Sequence, residues 1–294
     1  MTAAEEGVLL LCSPLGDPDC KPLTMPQFRE LGLFVRASQP SGDPLRELTV
    51  SDLTALGYGE EQAIRVLRLL DREPALRQYL SRGQRQDIHP MTFRSASYPS
   101  RIKQQLGHSC PPVFFYRGNP LLLEQPSIAV VGSRKLHPEN EAFARQAGRL
   151  AAKAGLVLIS GGAAGADRAA QEACLEAGGS CVIVVADRLD QHPAHPRVLY
   201  LSADGYDLPF TNYRALNRNP WIHMLGNRTL AAQCTYGTGG TWQGCLDNLK
   251  HGWSDLFVFD DGSDGTIALK ERGAIGITDL PSLDALKKEQ LSLF

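Results

Sequence analysis

The chain has 294 residues and a net charge of −2, from 30 Lys and Arg against 32 Asp and Glu, so no overall basic field attracts nucleic acid and any such binding must rest on a local patch. Seven cysteines with no C-x-x-C pair exclude a disulfide framework and fit a reducing cytosol, and His192-x-x-His195, bracketed by prolines, lacks the converging ligands of a metal site, so neither metal nor cofactor is expected. Val8 to Cys12 is too short an apolar run to cross a membrane, which makes the expected location cytoplasmic. In chain order, Thr24 to Phe34 and Val50 to Leu70 carry helical periodicity, the second broken at Leu56-Gly57-Tyr58-Gly59 and restarted at Glu60, with a Pro- and Gly-bearing loop from Ser38 to Leu45 between them. Residues 1–87 therefore read as a small helical module of a kind that sometimes binds DNA backbone through its glycine turn, with packing or dimerisation the favoured role. A short helix is expected from Tyr98-Pro99 to near Gly107, and an edge strand from Pro112 to Tyr116 closed by a Gly-Asn turn.

Residues 88–280 alternate between short β-branched runs and helical patterns, which predicts a doubly wound α/β fold with a mostly parallel sheet. The strongest unit is Ser127 to Val131, a helix from Pro138 to Gly155, and Leu156 to Ser160. Its two glycine-bearing loops, Gly132-Ser133-Arg134 and Ser160 to Asp167, must leave the same sheet edge, where such folds bind ligands. Glycines there let backbone N–H groups approach an oxyanion, and each following helix start adds partial positive charge. Further along, Ala169 to Ala177 reads as a helix, Cys181 to Ala186 as a strand, Pro193 to Asp204 as a helix, Thr211 to Leu225 as a helix and Arg228 to Cys234 as a strand. A helix opening at the Tyr236-to-Gly244 glycine segment runs to about His251, followed by a strand from Leu256 to Phe259 and a helix from Gly265 to Gly273.

Tyr98-Pro99, Tyr116-x-Gly118-Asn119, Val131-Gly132-Ser133-Arg134, Ser160-Gly161-x-Ala163-x-Gly165-x-Asp167, Gly178-Gly179 and Arg218-Asn219 followed by Ile222 together resemble the DNA-processing protein A family, also called Smf, over roughly Ile88 to Ile277. The resemblance implies an extended Rossmann-like fold without catalytic residues that binds single-stranded DNA with little sequence preference, acts as a homodimer and loads a RecA-type recombinase. Carried over, the phosphate-contacting residues are Gly132, Ser133, Arg134, Ser160, Gly161, Gly162, Gly165, Arg218 and Asn219, with Thr238, Gly239, Gly240 and Thr241 as a third helix start. Asp167 is expected to cap its helix and orient the loop, because a carboxylate beside phosphate would repel it. A strand also needs a basic rim with aromatic faces, for which Arg117, Lys135, Arg214 and Arg228 with Tyr213 or Trp221 are candidates. The chain departs from the family pattern at Pro220, where a second arginine is usual, at Gln171, where a histidine is usual, and in having no recognisable winged-helix segment after the α/β region.

Two other readings use the same loops. Phosphoribohydrolases of this superfamily carry a Pro-Gly-Gly-x-Gly-Thr-x-x-Glu loop, and Gly239-Gly240-Thr241-Trp242-Gln243-Gly244 has a glycine in place of that glutamate. A nucleotide sensor would need only the phosphate cradle. In residues 281–294, a short helix is expected over Ser282 to Lys288, and Gln290-Leu291-Ser292-Leu293-Phe294 looks like the pentapeptide that docks bacterial replication and repair proteins on the β sliding clamp.

Overall fold

The computed structural model describes residues 1–38, 48–107 and 110–283. The expected helix over 282–288, apart from its first two residues, and the clamp-like segment Gln290 to Phe294 lie outside the described residues, as does most of the loop from Ser38 to Leu45. The chain divides into two compact units, one of residues 1–117 with 188–193 and 202–208, the other of the remainder.

The first unit begins with α1 (Ala3–Cys12), whose N-terminus is a capping box in which Thr2 and Glu5 satisfy each other's backbone amides. Val8 to Cys12, the apolar run too short for a membrane, is the buried C-terminal half of this helix. α2 (Met25–Ser38), α3 (Val50–Ala55) and α4 (Glu60–Leu70) follow, and Gly57, with φ of +96°, makes the turn between the last two. α5 (Glu73–Gln84) was not expected from periodicity. It places Tyr79 against the buried Tyr206, the rings stacked 4.2 Å apart. β1 (His89–Thr92) precedes α6 (Ser100–Leu106) and pairs antiparallel with β2 (Val113–Arg117), so the expected edge strand is hydrogen-bonded along that side.

The second unit holds parallel strands in the order β6-β5-β4-β3-β7-β8-β9. Chain order is β3 (Ser127–Val131), α7 (Pro138–Lys153), β4 (Val157–Ser160), α8 (Ala166–Glu176), β5 (Cys181–Val184), β6 (Val198–Ser202), α9 (Asn212–Leu225), β7 (Arg228–Ala231), α10 (Gly239–His251), β8 (Asp255–Phe259), α11 (Asp264–Glu271) and β9 (Ile275–Ile277). The helix expected from Pro193 to Asp204 is instead β6. Its five residues are all buried and lie in register with β5 from Cys181↔Val198 to Val184↔Leu201. A run with no polar face suits a central strand buried on both sides, and Pro193 and Pro196 fall outside it. β7 is shorter than expected because the chain from Ala232 onward turns toward the loop after β3: the Ser133 amide donates to Gln233 O at 3.0 Å.

From β3 to β6 each new strand is added on one side, and the chain then returns to place β7 on the other side of β3. Right-handed crossovers put α7 and α8 on one face of the sheet and α9 and α10 on the other. The loops after β3 and β7 therefore diverge, which creates the crevice in which open α/β sheets bind ligands.

α7 and α8 pack so closely that a Cβ on Gly148 would sit 2.1 Å from Ala170 O. Alanine is favoured over glycine by about 1 kcal/mol in a helix interior, yet here it must force the helices apart. Gly148→Ala is expected to lower stability by about 1–3 kcal/mol in urea unfolding, the cost of overpacking; an increase would show that the helices separate freely.

Candidate nucleic-acid interface

A cavity of about 1020 Å³ opens at the C-terminal ends of β3 and β7, between the loop of residues 132–137, α9, and residues 233–243 leading into α10. Its walls are cross-braced. The Ser133 hydroxyl donates to Gln233 O at 3.3 Å, the same carbonyl that takes its amide, and the His137 amide donates to Gln233 Oε1 at 2.9 Å. Gly165 has φ of +81°, and a Cβ there would meet Ser133 O at 2.2 Å, so only glycine lets the loops after β3 and β4 approach this closely. Arg134 projects from the braced loop, exposed, with its guanidinium carbon 5.7 Å from the centre of the Phe210 ring.

The loop after β4 supports the wall more than it lines the cavity. Ser160 is fully buried and its hydroxyl accepts from the Gln171 amide, which stands where the family's histidine is usual. Asp167 Oδ2 accepts from the amides of Gly161 at 3.0 Å and Ala163 at 3.2 Å, and Gly161 O accepts from Arg218 Nη2 at 2.8 Å. The carboxylate thus orients its loop, whereas the N-cap of α8 is Gly165, with no side-chain cap bond. Gly162 is exposed, with φ of +71°, and the cavity wall here is Ala163 and Asp167.

Arg218 lines the cavity at 8% exposure. Burial pushes its pKa down, while the charges of Asp167 and Asp187 oppose that shift; burial pushes the Asp167 carboxyl up, opposed chiefly by Arg218. Arg218 Nε is buried with no hydrogen-bond partner among the described residues. Across the cavity α10 begins at Gly239. Its N-cap, Thr238, makes no side-chain cap bond, so the amides of Gly239, Gly240 and Thr241 have no partner within the helix and present partial positive charge. Asn219 is tied to this helix start, its Nδ2 donating to Gly240 O at 3.3 Å.

The expected basic rim is smaller than the sequence implied. Arg117 is buried, donating to Gln86 O and His192 O; Arg214 is buried, donating to Ala186 O and Pro209 O; Arg228 starts β7, at the opposite sheet edge, and donates to Leu283 O. Trp221 is half-buried. Arg134 and Lys135 are the exposed cations among the described residues lining the cavity. Exposed apolar surface adds to this rim: Leu216 lines the cavity and the exposed Phe210 ring lies against Arg134, while exposed Tyr236 packs edge-on against Trp242. Phe210 belongs to no helical or strand pattern, and only its exposure in the fold reveals it.

His223, also unanticipated, lies one turn beyond Asn219 and lines the cavity. Burial lowers its pKa to about 4, so it is neutral when folded at pH 7, whereas the unfolded side chain titrates near 6.5. The unfolded chain therefore binds more protons between these values, and the stability present above pH 6.5 is lost as pH falls toward 4. We expect this group alone to account for about 3 kcal/mol across that window. Urea unfolding of wild type and His223→Leu at pH 7 and pH 4.5 tests this: the variant should lose markedly less stability on acidification, and equal losses would exclude a neutral buried His223.

Comparisons with known proteins give the family and the fold. The family described as DNA recombination-mediator protein A matches residues 89–243, more than half of the chain. DNA processing protein DprA of Streptococcus pneumoniae is 37% identical over 89 residues, covering 28% of this chain and 29% of that protein. Protein Smf of Synechocystis is 29% identical over 135 residues, covering 44% and 33%. The chain thus matches about a third or less of the length of these curated relatives. The X-ray structure of the S. pneumoniae protein superposes with a TM-score of 0.70 at 23% identity, covering 90% of this chain and 99% of that one, and shares its fold. DNA processing protein A from Helicobacter pylori, whose structure concerns its single-stranded DNA binding mode, gives a TM-score of 0.55 at 25% identity over 65% of this chain and 91% of that one. The chain belongs to the DNA recombination-mediator protein A family.

Proposed function

We propose that this chain binds single-stranded DNA in the cavity between the loops after β3 and β7, as part of a DNA-processing role. The observation that carries the reading is the pairing of exposed Arg134 with the Phe210 ring on one rim of a cavity whose opposite rim is the uncapped start of α10. A backbone phosphate on the Gly239–Thr241 amides and another on Arg134 would leave an intervening base beside Phe210, the combination of cationic track and stacking face that single-strand binders use. The family to which the chain belongs and the single-strand binding of the H. pylori relative support the same reading.

The reading is one of binding, not hydrolysis. Asp167 is the one carboxylate among the described residues lining the cavity, and its Oδ2 is held by two loop amides. Gly244, where the phosphoribohydrolase loop has its glutamate, offers no acid or base. We extend the proposal to protection of exposed strands in the cytoplasm by a homodimer that hands them to a RecA-type recombinase, and to docking of Gln290 to Phe294 on the β sliding clamp.

A salt titration with oligo-dT tests the core of the proposal. Affinity should fall steeply with salt, Arg134→Ala should flatten the log–log slope by about 0.7 for one lost phosphate contact, and Phe210→Ala should weaken binding by about 1–3 kcal/mol without changing the slope. Absence of oligo-dT binding at low salt, with mononucleotide binding intact, would replace the strand reading with a nucleotide sensor. Separately, deleting Gln290 to Phe294 should abolish affinity for a purified sliding clamp; unchanged affinity would remove that partner.

A further inference from the structure

The strand pair that opens the cavity goes out of step at its end. The Ala232 amide donates to Val131 O at 2.9 Å, as the parallel register Val131↔Ala231 requires. Continued regularly, that ladder would give the Ser133 amide to Ala232 O. It donates instead to Gln233 O, one residue further on, at 3.0 Å. The carbonyl passed over is taken by Asn140, in the first turn of α7, whose Nδ2 donates to Ala232 O at 2.8 Å and to Asp261 Oδ2 at 2.7 Å. The orientation of the amide follows from these partners, since a flip would set Oδ1 against two acceptors. Asp261 is in turn held against the first turn of α11, its Oδ1 accepting from the Ser263 amide at 3.0 Å and from Thr266 Oγ1 at 2.9 Å. Burial pushes the Asp261 carboxyl up, but the bonds from Ser263, Asn140 and Thr266 outweigh it and hold its pKa below the ordinary value, so the acceptor is ionised.

Asn140 is fully buried, and its Oδ1 has no hydrogen-bond partner among the described residues. An unpaired buried acceptor costs stability, so packing does not account for this side chain; its two donors do. We propose that Asn140 is a positioning residue for strand binding: by occupying Ala232 O it offsets the end of β3 by one residue against β7, and this offset sets the loop that carries Arg134. Through the offset, Gln233 O receives the Ser133 amide and hydroxyl and Gln233 Oε1 receives the His137 amide, so both ends of the loop are tied to one residue. Without Asn140, Ala232 O is open to the Ser133 amide, and a return to the regular ladder would undo the ties to Gln233. The inference rests on the single-strand reading for what Arg134 contacts, and adds the residue that aims it.

Hydrogen–deuterium exchange read by mass spectrometry tests the positioning directly. In Asn140→Ala the amides of residues 132–137 should exchange about tenfold faster than in wild type, the effect of one lost hydrogen bond on a local opening, while those of β5 and α8 keep their rates. A merely destabilised fold would speed all of them. In the oligo-dT salt titration the variant should flatten the log–log slope by about 0.7, as loss of the Arg134 phosphate contact does. Adding Asn140→Ala to Arg134→Ala should then weaken binding by no more than about twofold, because both act on one contact. Asn140→Val, which leaves no void, carries the same measurements if the alanine variant does not fold. Exchange over 132–137 that is unchanged, or faster only as part of a uniform rise, would overturn the proposal, as would affinity losses that add in the double variant. If wild type binds no oligo-dT, the strand reading fails separately, and the exchange rates alone decide whether Asn140 sets the loop.

Discussion

The cavity depends on one topological constraint, the reversal in strand addition after β6. Had β7 continued outward beyond β6, its loop would have packed beside its neighbours as those after β4 and β5 do. Because it pairs instead with β3, from Ala129↔Thr229 to Val131↔Ala231, adjacent parallel strands send their following helices to opposite faces and their loops must part. The parting exposes backbone that a sheet edge would otherwise leave to water, and the protein restrains it with few contacts. Gln233, just after β7, receives the Ser133 amide and hydroxyl through its main-chain carbonyl and the His137 amide through its side chain. Arg134 is thus presented from a braced loop, which would reduce the entropy lost on fixing a ligand.

A second consequence concerns charge. Arg218 reaches from α9 under the loop after β4 and meets Gly161 O, while Asp167 holds the same loop from α8. Two opposite charges brought into one wall each offset the desolvation of the other, and the loop amides satisfy the carboxylate. The wall therefore carries little net charge although it contains a guanidinium. The positive character of the rim comes instead from Arg134, Lys135 and the uncapped α10 start, all of them outside the buried pair. A chain of net charge −2 can in this way present a phosphate-sized cationic rim without a basic field over its whole surface.

Much of the sheet was legible in the sequence because β3, β4, β5 and β8 are short, apolar and β-branched, and because glycines or small residues mark where three of them leave the sheet. β1 carries Pro90, which argues against a strand read in isolation, and the proline-rich lead-in to β6 makes that segment long enough to read as a helix. For the site, the loops and the α10 start were legible as glycine patterns. The engagement of the Ser133 hydroxyl was not, since its partner lies 100 residues away, nor was the burial of Arg117 and Arg214, whose carbonyl partners only the tertiary fold supplies. Arginine in sequence announces a charge; whether that charge faces solvent or closes a loop depends on backbone groups that no motif records.

The two chemistries of the cavity follow from its depth. Near the rim, water competes for each amide and guanidinium, so only a multiply charged ligand with several contacts gains enough to stay, as a sugar-phosphate backbone does. At the floor, a cation would be expensive: burial already drives His223 to the neutral form with a pKa of about 4. The neutral imidazole is held at hydrogen-bonding distance from Thr229 Oγ1, which in turn meets Ser254 Oγ, so the ring is fixed in place with no charge to desolvate. Rim and floor thus differ in kind, the first presenting charge and unpaired helix amides, the second a neutral buried ring whose protonation would cost stability.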